Sequence, residues 1–228
     1  MLRLSNGKFD RNKKAFTLIE LVVVLIILAI MGAMLVPALT GYIRKARREK
    51  FVESAHYALV AAQSVITEQY AKPLSGVTIS SDNNNIDWHS GVGKQLGDEV
   101  LELMSCGRGR SNGEPYILVF ATGNPNSASV KESDLNTVYY IAYVADEKSP
   151  AVFYVNGEWM YTYPRGDNRT FPITTGSEGF RNTIVNGDHE IPLQFYVVSN
   201  RTGKNDMSFW RGTGLNTLEG HCEGNNGF

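Results

Sequence analysis

The feature that most constrains this chain is a run of 19 residues, Leu21 to Leu39, without a charged side chain. Coiled as an α-helix rising about 1.5 Å per residue, the run covers roughly 28 Å, close to the ~30 Å hydrocarbon core of a bilayer. A helix buried in a soluble core is rarely apolar all the way round. The run therefore reads as a membrane-spanning helix. It exceeds the h-region of a cleaved secretory signal, about 7 to 15 residues, and no A-x-A site follows it, so the apolar block is expected to stay in the mature protein.

A carboxylate, Glu20, stands at the head of this run. An acid at the centre of a spanning helix costs about 2.5 to 3.5 kcal/mol and usually marks a functional partner, whereas near the interface water reaches it and the cost is small. In a lone subunit Glu20 has the second environment. It would have the first if the preceding residues were removed and the chain then moved into an apolar assembly. A new α-amino group at Phe16 would supply the missing cation.

At these residues the chain resembles a family. Lys13-Lys14-Ala15-Phe16-Thr17-Leu18-Ile19-Glu20-Leu21 is similar to the cleavage and methylation motif of type IV prepilins and pseudopilins: a short basic leader, a small residue before the cut, Phe opening the mature chain and Glu five residues into it. Pro37, 21 residues beyond Phe16, falls where many pilins carry a proline. The resemblance covers about Lys13 to Ile43, and Ala15 occupies a position where the family usually has Gly. It implies that residues 1–15 are a leader, that a membrane aspartyl peptidase cuts between Ala15 and Phe16, and that the same enzyme N-methylates Phe16. It also implies a structural subunit, with neither enzymatic activity nor cofactor. Such a subunit polymerises with itself or sibling pilins on an inner-membrane assembly platform. The methylated amine stays cationic and would pair with the Glu20 carboxylate of its own or a neighbouring chain. Because an unpaired buried charge is strongly unfavourable, that pairing would fix the axial register. Gly32 and Pro37 would kink the helix, since proline removes a backbone hydrogen bond. In several filaments the corresponding stretch is extended, and a simple bend at the membrane exit is the alternative.

Charge alone leaves the topology undecided. Arg3, Lys8, Arg11, Lys13 and Lys14 precede the apolar run, and Arg44, Lys45, Arg47, Arg48 and Lys50 follow it, so the positive-inside rule is balanced. The resemblance favours a bacterial cytoplasmic-membrane protein with the leader inside and the C-terminal part outside, reaching the cell surface as a filament. The second basic cluster reads as a solvated or headgroup-contacting face, with membrane lipid as its neighbour before assembly. A nucleic-acid role is disfavoured, because residues 54 to 228 carry about −7 once the leader's +4 and the +2 of residues 16 to 53 are set aside from the net −1.

Beyond Tyr42 the helix is expected to continue. Val52, Ala55, Leu59, Ala62 and Ile66 repeat at three- and four-residue spacing, one apolar stripe on a helix reaching about Tyr70. Lys72-Pro73-Leu74-Ser75-Gly76 then stops it. The domain reading is thus leader 1–15, transmembrane and polymerisation helix 16–42, amphipathic continuation 43–72, and head domain 73–228. In the head, 80–85 reads as a loop and Gly93 to Met104 as a short helix. Strands are expected at Tyr116–Ala121 and Thr137–Ala145, with Ala151–Val155 and Glu158–Tyr163 joined by Asn156-Gly157, a type I′ hairpin signal. Leu193–Ser199 and Met207–Arg211 form a further candidate hairpin. An antiparallel sheet packed on a long N-terminal helix makes the fold class α+β.

Cys106 and Cys222 are the only cysteines. In an exported domain a pair favours a disulfide over a metal site. It would close a loop of more than 100 residues and stabilise by roughly 3 to 5 kcal/mol on the chain-entropy model. The resemblance implies the same pairing, because many pilins staple their C-terminal region this way; two free thiols are the alternative. Little else carries chemistry. His56, His89, His189 and His221 lack metal-like spacing, and His56 reads as lining a helix face. Asp188-His189-Glu190 reads as a turn ahead of a cation site. Asp82-Asn83-Asn84-Asn85-Ile86-Asp87 lacks the EF-hand glycine and distal Glu. Arg165-Gly166-Asp167 and the sequons at Asn168 and Asn200 are short enough to arise by chance. Two classes of function remain: a filament subunit serving adhesion, twitching, DNA uptake or secretion, and an exported binding module tethered by its apolar segment. A tether needs neither Glu20 nor Phe16 after a small residue.

Overall fold

The apolar run and the stripe behind it form a single element, α1, from Leu18 to Ala71, 54 residues long with Pro37 inside it. The computed structural model describes residues 17–72, 85–88, 91–109, 112–161, 183–203 and 217–222. The chain divides into two units, residues 1–48 and 49–228, and α1 contributes to both.

In the second unit, α1 is followed by β1 (Asn85–Asp87), a 3-10 turn (Gly91–Gly93), α2 (Lys94–Leu103), β2 (Ile117–Gly123), α3 (Glu132–Leu135), β3 (Tyr140–Val144), β4 (Ala151–Val155), β5 (Glu158–Met160), β6 (Thr183–Asn186), β7 (His189–Asn200) and α4 (Thr217–Gly220). Six strands lie in the order β1-β7-β2-β3-β4-β5, and β6 pairs with the start of β7. Among the described residues every pairing is antiparallel except that of β1 with β7. The class is α+β, a long helix followed by a largely antiparallel sheet.

Both faces of the sheet are covered, so its central strands are apolar without alternation; all seven residues of β2 are buried. The side chains still divide by the period of two. Leu118, Phe120, Ile141, Tyr143, Val152, Tyr196 and Val198 join Ala55, Ala58, Ala62, Val65 and Ile66 of α1 and Leu96, Val100 and Leu101 of α2 in one cluster. Ile117, Val119, Ala121, Tyr140, Ala142, Phe153, Leu193 and Phe195 face the other way, toward Leu218 and Cys222. The alanines of α1 bring helix and sheet backbones close. Gln63 joins the two, its Oε1 accepting from the Val138 N–H at 3.0 Å and its amide donating to the Asn136 carbonyl.

The β4–β5 connection is the expected two-residue loop, with Asn156 at φ 45° and Gly157 at φ 101°, the paired positive values a type I′ turn requires. Other expectations are corrected. Asn85, assigned to a loop, starts strand β1. Leu193–Ser199 belongs to a longer strand whose hairpin partner among the described residues is β6, through the loop Gly187-Asp188 with Gly187 at φ 64°; Met207–Arg211 lies outside those residues. Thr183-Ile184-Val185 is a β-branched run ahead of a glycine turn, and its strand was legible.

Candidate functional site

Glu20 does not project as a lone charge at the start of α1. Its carboxylate accepts from the Thr17 backbone N–H at 2.9 Å and from the Thr17 hydroxyl at 2.8 Å, while the Glu20 N–H donates back to the Thr17 Oγ1 at 3.3 Å. This is a capping box, in which two of the unpaired donors of a helix start are satisfied reciprocally. The Leu21 N–H bonds the Thr17 carbonyl at 3.3 Å and closes the first turn. The signal S/T-x-x-E ahead of an apolar run was present in Thr17-Leu18-Ile19-Glu20, a second role for these residues that the membrane reading passed over. The carboxylate is thereby folded back toward the residue that follows Phe16. Ala15 and Phe16 lie outside the described residues.

Beyond the cap, the large apolar residues of α1 from Leu18 to Ile43 are exposed on all sides of the helix. Leu18 is 82% exposed and Val22, among the most shielded of the large residues here, 41%. The most apolar 18-residue window of the helix has none of its residues buried. Such a surface needs an apolar environment, either lipid chains or other helices. Gly32 and Pro37 stay within the continuous helix, and nothing lies within 4 Å of the position a Gly32 Cβ would take. The Thr40 hydroxyl donates to the Pro37 carbonyl at 2.9 Å. Tyr42 and Ile43, exposed, end the uncharged stretch, and Arg44, Lys45, Arg47 and Arg48 follow on the same helix.

In the second unit, His189 at the start of β7 places Nε2 3.2 Å from the Asp134 Oδ2. The same carboxylate accepts from the Lys131 backbone N–H at 2.9 Å, capping α3, and from the Tyr139 hydroxyl at 2.8 Å. Burial opposes ionisation of Asp134, but these donors together hold its carboxyl below the usual carboxylate range. Burial, reinforced by Asp134, pushes the Tyr139 hydroxyl up to about 12. His189, expected in a solvated turn, therefore joins a partly buried polar cluster, and that cluster ties the β6–β7 hairpin to α3. His221 is buried, its Nδ1 2.8 Å from the Ser149 carbonyl. His56 is exposed on α1, 6.3 Å from the Trp159 ring. Among the described residues, no group of three or more His, Cys, Asp or Glu is placed to hold a metal. Residues 82–84, His89, Arg165-Gly166-Asp167 and the Asn168 sequon lie outside those residues. Asn200, of the other sequon, accepts from the Thr202 N–H at 3.2 Å and the Thr202 hydroxyl at 2.7 Å.

The expected bond between Cys106 and Cys222 is not formed; both are thiols. The sheet separates them, because Cys106 packs with the α1-side cluster and Cys222 with the opposite one. The Cys222 thiol donates to the Leu218 carbonyl at 3.5 Å. Burial, then Glu114, pushes the Cys106 thiol up from its ordinary value.

One residue that sequence reasoning missed organises this side of the unit. Arg108 donates to the Trp88 carbonyl at 2.8 Å and the Val198 carbonyl at 3.4 Å, and pairs with Asp98. The strand register shifts opposite Leu118 and Val119, which leaves Val198 at the irregularity. Arg108 thus donates to the carbonyl of the residue at that irregularity. Its partners lie 10, 20 and 90 residues away, so no local pattern announces the role.

Residues 10–36 match the prokaryotic N-terminal methylation motif, which is the signal motif of type IV pilins and pseudopilins. The match covers 27 of the 228 residues and supports a type IV pilin-like, prepilin-processed protein. No curated protein and no solved structure matches it.

Proposed function

We propose that this protein is a structural subunit of a type IV pilus or pseudopilus-like filament. A prepilin peptidase cuts it between Ala15 and Phe16 and methylates the new terminus; the subunit then assembles with itself or sibling pilins through the apolar part of α1. The observation that carries this reading is the coincidence, over residues 17–43, of a capped carboxylate five residues into the chain that cleavage would leave with a helix whose most apolar 18-residue window has no buried residue.

Cleavage changes both ends of the energetics. An uncut leader would drag Arg3, Lys8, Arg11, Lys13 and Lys14 through hydrocarbon as the subunit left the membrane outward, at about 2.5 to 3.5 kcal/mol for each charge at the centre. The cut removes all five and exposes one ammonium beside Thr17. The Glu20 carboxylate, held by its own Thr17 N–H in the single subunit, then has a cation to meet in the dry interior of a helical bundle. An aligned neighbour supplies that cation; a misaligned one leaves the acid unpaired. Adhesion, twitching, DNA uptake and secretion all use such polymers. Glu20→Ala is expected to leave leader cleavage and head folding intact while reducing sheared filament yield at least tenfold, measured by immunoblot of the filament fraction. Wild-type yield from the variant would refute the register role.

A further inference from the structure

We infer that Arg44, Lys45, Arg47 and Arg48 form an anionic-phospholipid site that holds the unassembled subunit at a set depth in the outer headgroup layer. This rests on the membrane-anchored reading of α1 and adds to it the chemistry of the lipid. The uncharged stretch Leu21 to Ile43 is 23 residues, about 35 Å of helix, enough to cross the hydrocarbon with a modest tilt. Tyr42, 71% exposed, stands where interfacial aromatic rings gather. The four cations come next. From Arg44 to Arg48 the helix rises only about 6 Å, and each headgroup layer of a bilayer is about 5 to 8 Å deep. All four therefore fit within one layer of phosphates.

Their arrangement suits lipid better than nucleic acid. At about 100° per residue the four positions spread over roughly 160° of the helix circumference. Separate headgroups can meet them individually, because lipids diffuse and reorient. A nucleic acid would have to lie against a membrane surface that is itself anionic. Arg44, Lys45 and Arg47 are exposed and Arg48 is half-buried, and a guanidinium can grip a phosphate bidentately. Leader removal strips the five cations at the opposite end, so in the mature subunit this cluster is the main cationic hold on the membrane. It lies on the outward side and leaves the bilayer without crossing hydrocarbon when the subunit is extracted.

The test uses the full-length chain reconstituted in mixed vesicles, with trace spin-labelled phosphatidylglycerol or phosphatidylcholine. The readout is the relative association of the two lipids with the protein boundary. The comparison is with the variant R44Q/K45Q/R47Q/R48Q; the leader's cations are common to both chains and cancel. We expect the wild type to prefer phosphatidylglycerol about fivefold more than the variant does, the effect of one cation at an anionic surface. High salt should shrink the difference, and R44K/R47K/R48K should retain it. Equal preferences, with motionally restricted lipid present for both chains, overturn the proposal alone. Absence of restricted lipid for either chain overturns the membrane anchor and the proposal together. If preferences are equal and duplex DNA binds wild-type but not variant chains in phosphatidylcholine nanodiscs, the cluster is a nucleic-acid surface and the proposal fails.

Discussion

Gly97→Ala in α2 separates packing from helix propensity, because the two predict opposite signs. In an exposed helix interior the change would stabilise by about 0.8 to 1.0 kcal/mol. Here a Cβ at position 97 would lie 2.0 Å from the Trp88 carbonyl oxygen, 3.0 Å from its carbon and 2.6 Å from the Arg108 Nη2. The obstacle is backbone, which cannot rotate aside. Restoring an ordinary carbon–oxygen approach of roughly 3.3 Å moves α2 away by about 1.3 Å. Such overpacking costs about 1 to 3 kcal/mol. The same shift strains the 2.8 Å hydrogen bond from Arg108 to the Trp88 carbonyl, a charged bond worth about 1.5 to 3 kcal/mol. Against the propensity gain, the net loss is about 2 to 4 kcal/mol. For a unit of this size that lowers Tm by about 5 to 15 °C. The assay is thermal unfolding of the full-length chain in detergent, followed by near-UV circular dichroism. Gly32→Ala is the control, since nothing lies within 4 Å of its Cβ position. A Tm for Gly97→Ala at or above wild type would refute the close packing of α2 beneath Trp88.

Two further expectations concern the head. The Asp134 carboxyl is held below its ordinary range when folded, so its contribution is present above the unfolded carboxylate pKa and is lost as pH falls through the folded one. The acid limb of a Tm-against-pH curve should therefore be steeper for wild type than for Asp134→Asn, and parallel limbs would count against the Asp134–His189–Tyr139 cluster. Alkylation of the denatured, unreduced chain should add two labels, one each at Cys106 and Cys222; an unlabelled pair released only by reductant would restore the disulfide.

The long helix, the central strands and the Asn156-Gly157 hairpin were legible because each is written locally, as a period, a β-branched run or a turn that needs positive φ. The placement of α1 was legible too: Ala55, Ala62 and Ile66 of the expected stripe are buried. The strand Asn85–Asp87 was hidden because it is short, polar in sequence and paired in parallel with β7, from which more than 100 residues separate it. The cysteine pairing failed for a topological reason. Two cysteines say nothing about which face of a sheet each occupies, and here they are free and stand with opposite clusters. At the candidate site, Glu20 was singled out as a membrane anomaly, although the same four residues also spell a helix cap. Both readings rest on one carboxylate, satisfied locally in a single chain and, in the proposed function, transferred to the Phe16 ammonium.

That transfer requires a free amine at Phe16, which makes the mature N-terminus the most direct test. Intact-mass and N-terminal peptide analysis of the filament fraction from cells with an active prepilin peptidase should show a chain that begins at Phe16 and carries one extra methyl group there. Chains in assembled filaments that still begin at Met1, or whose Phe16 is never exposed, would contradict the account.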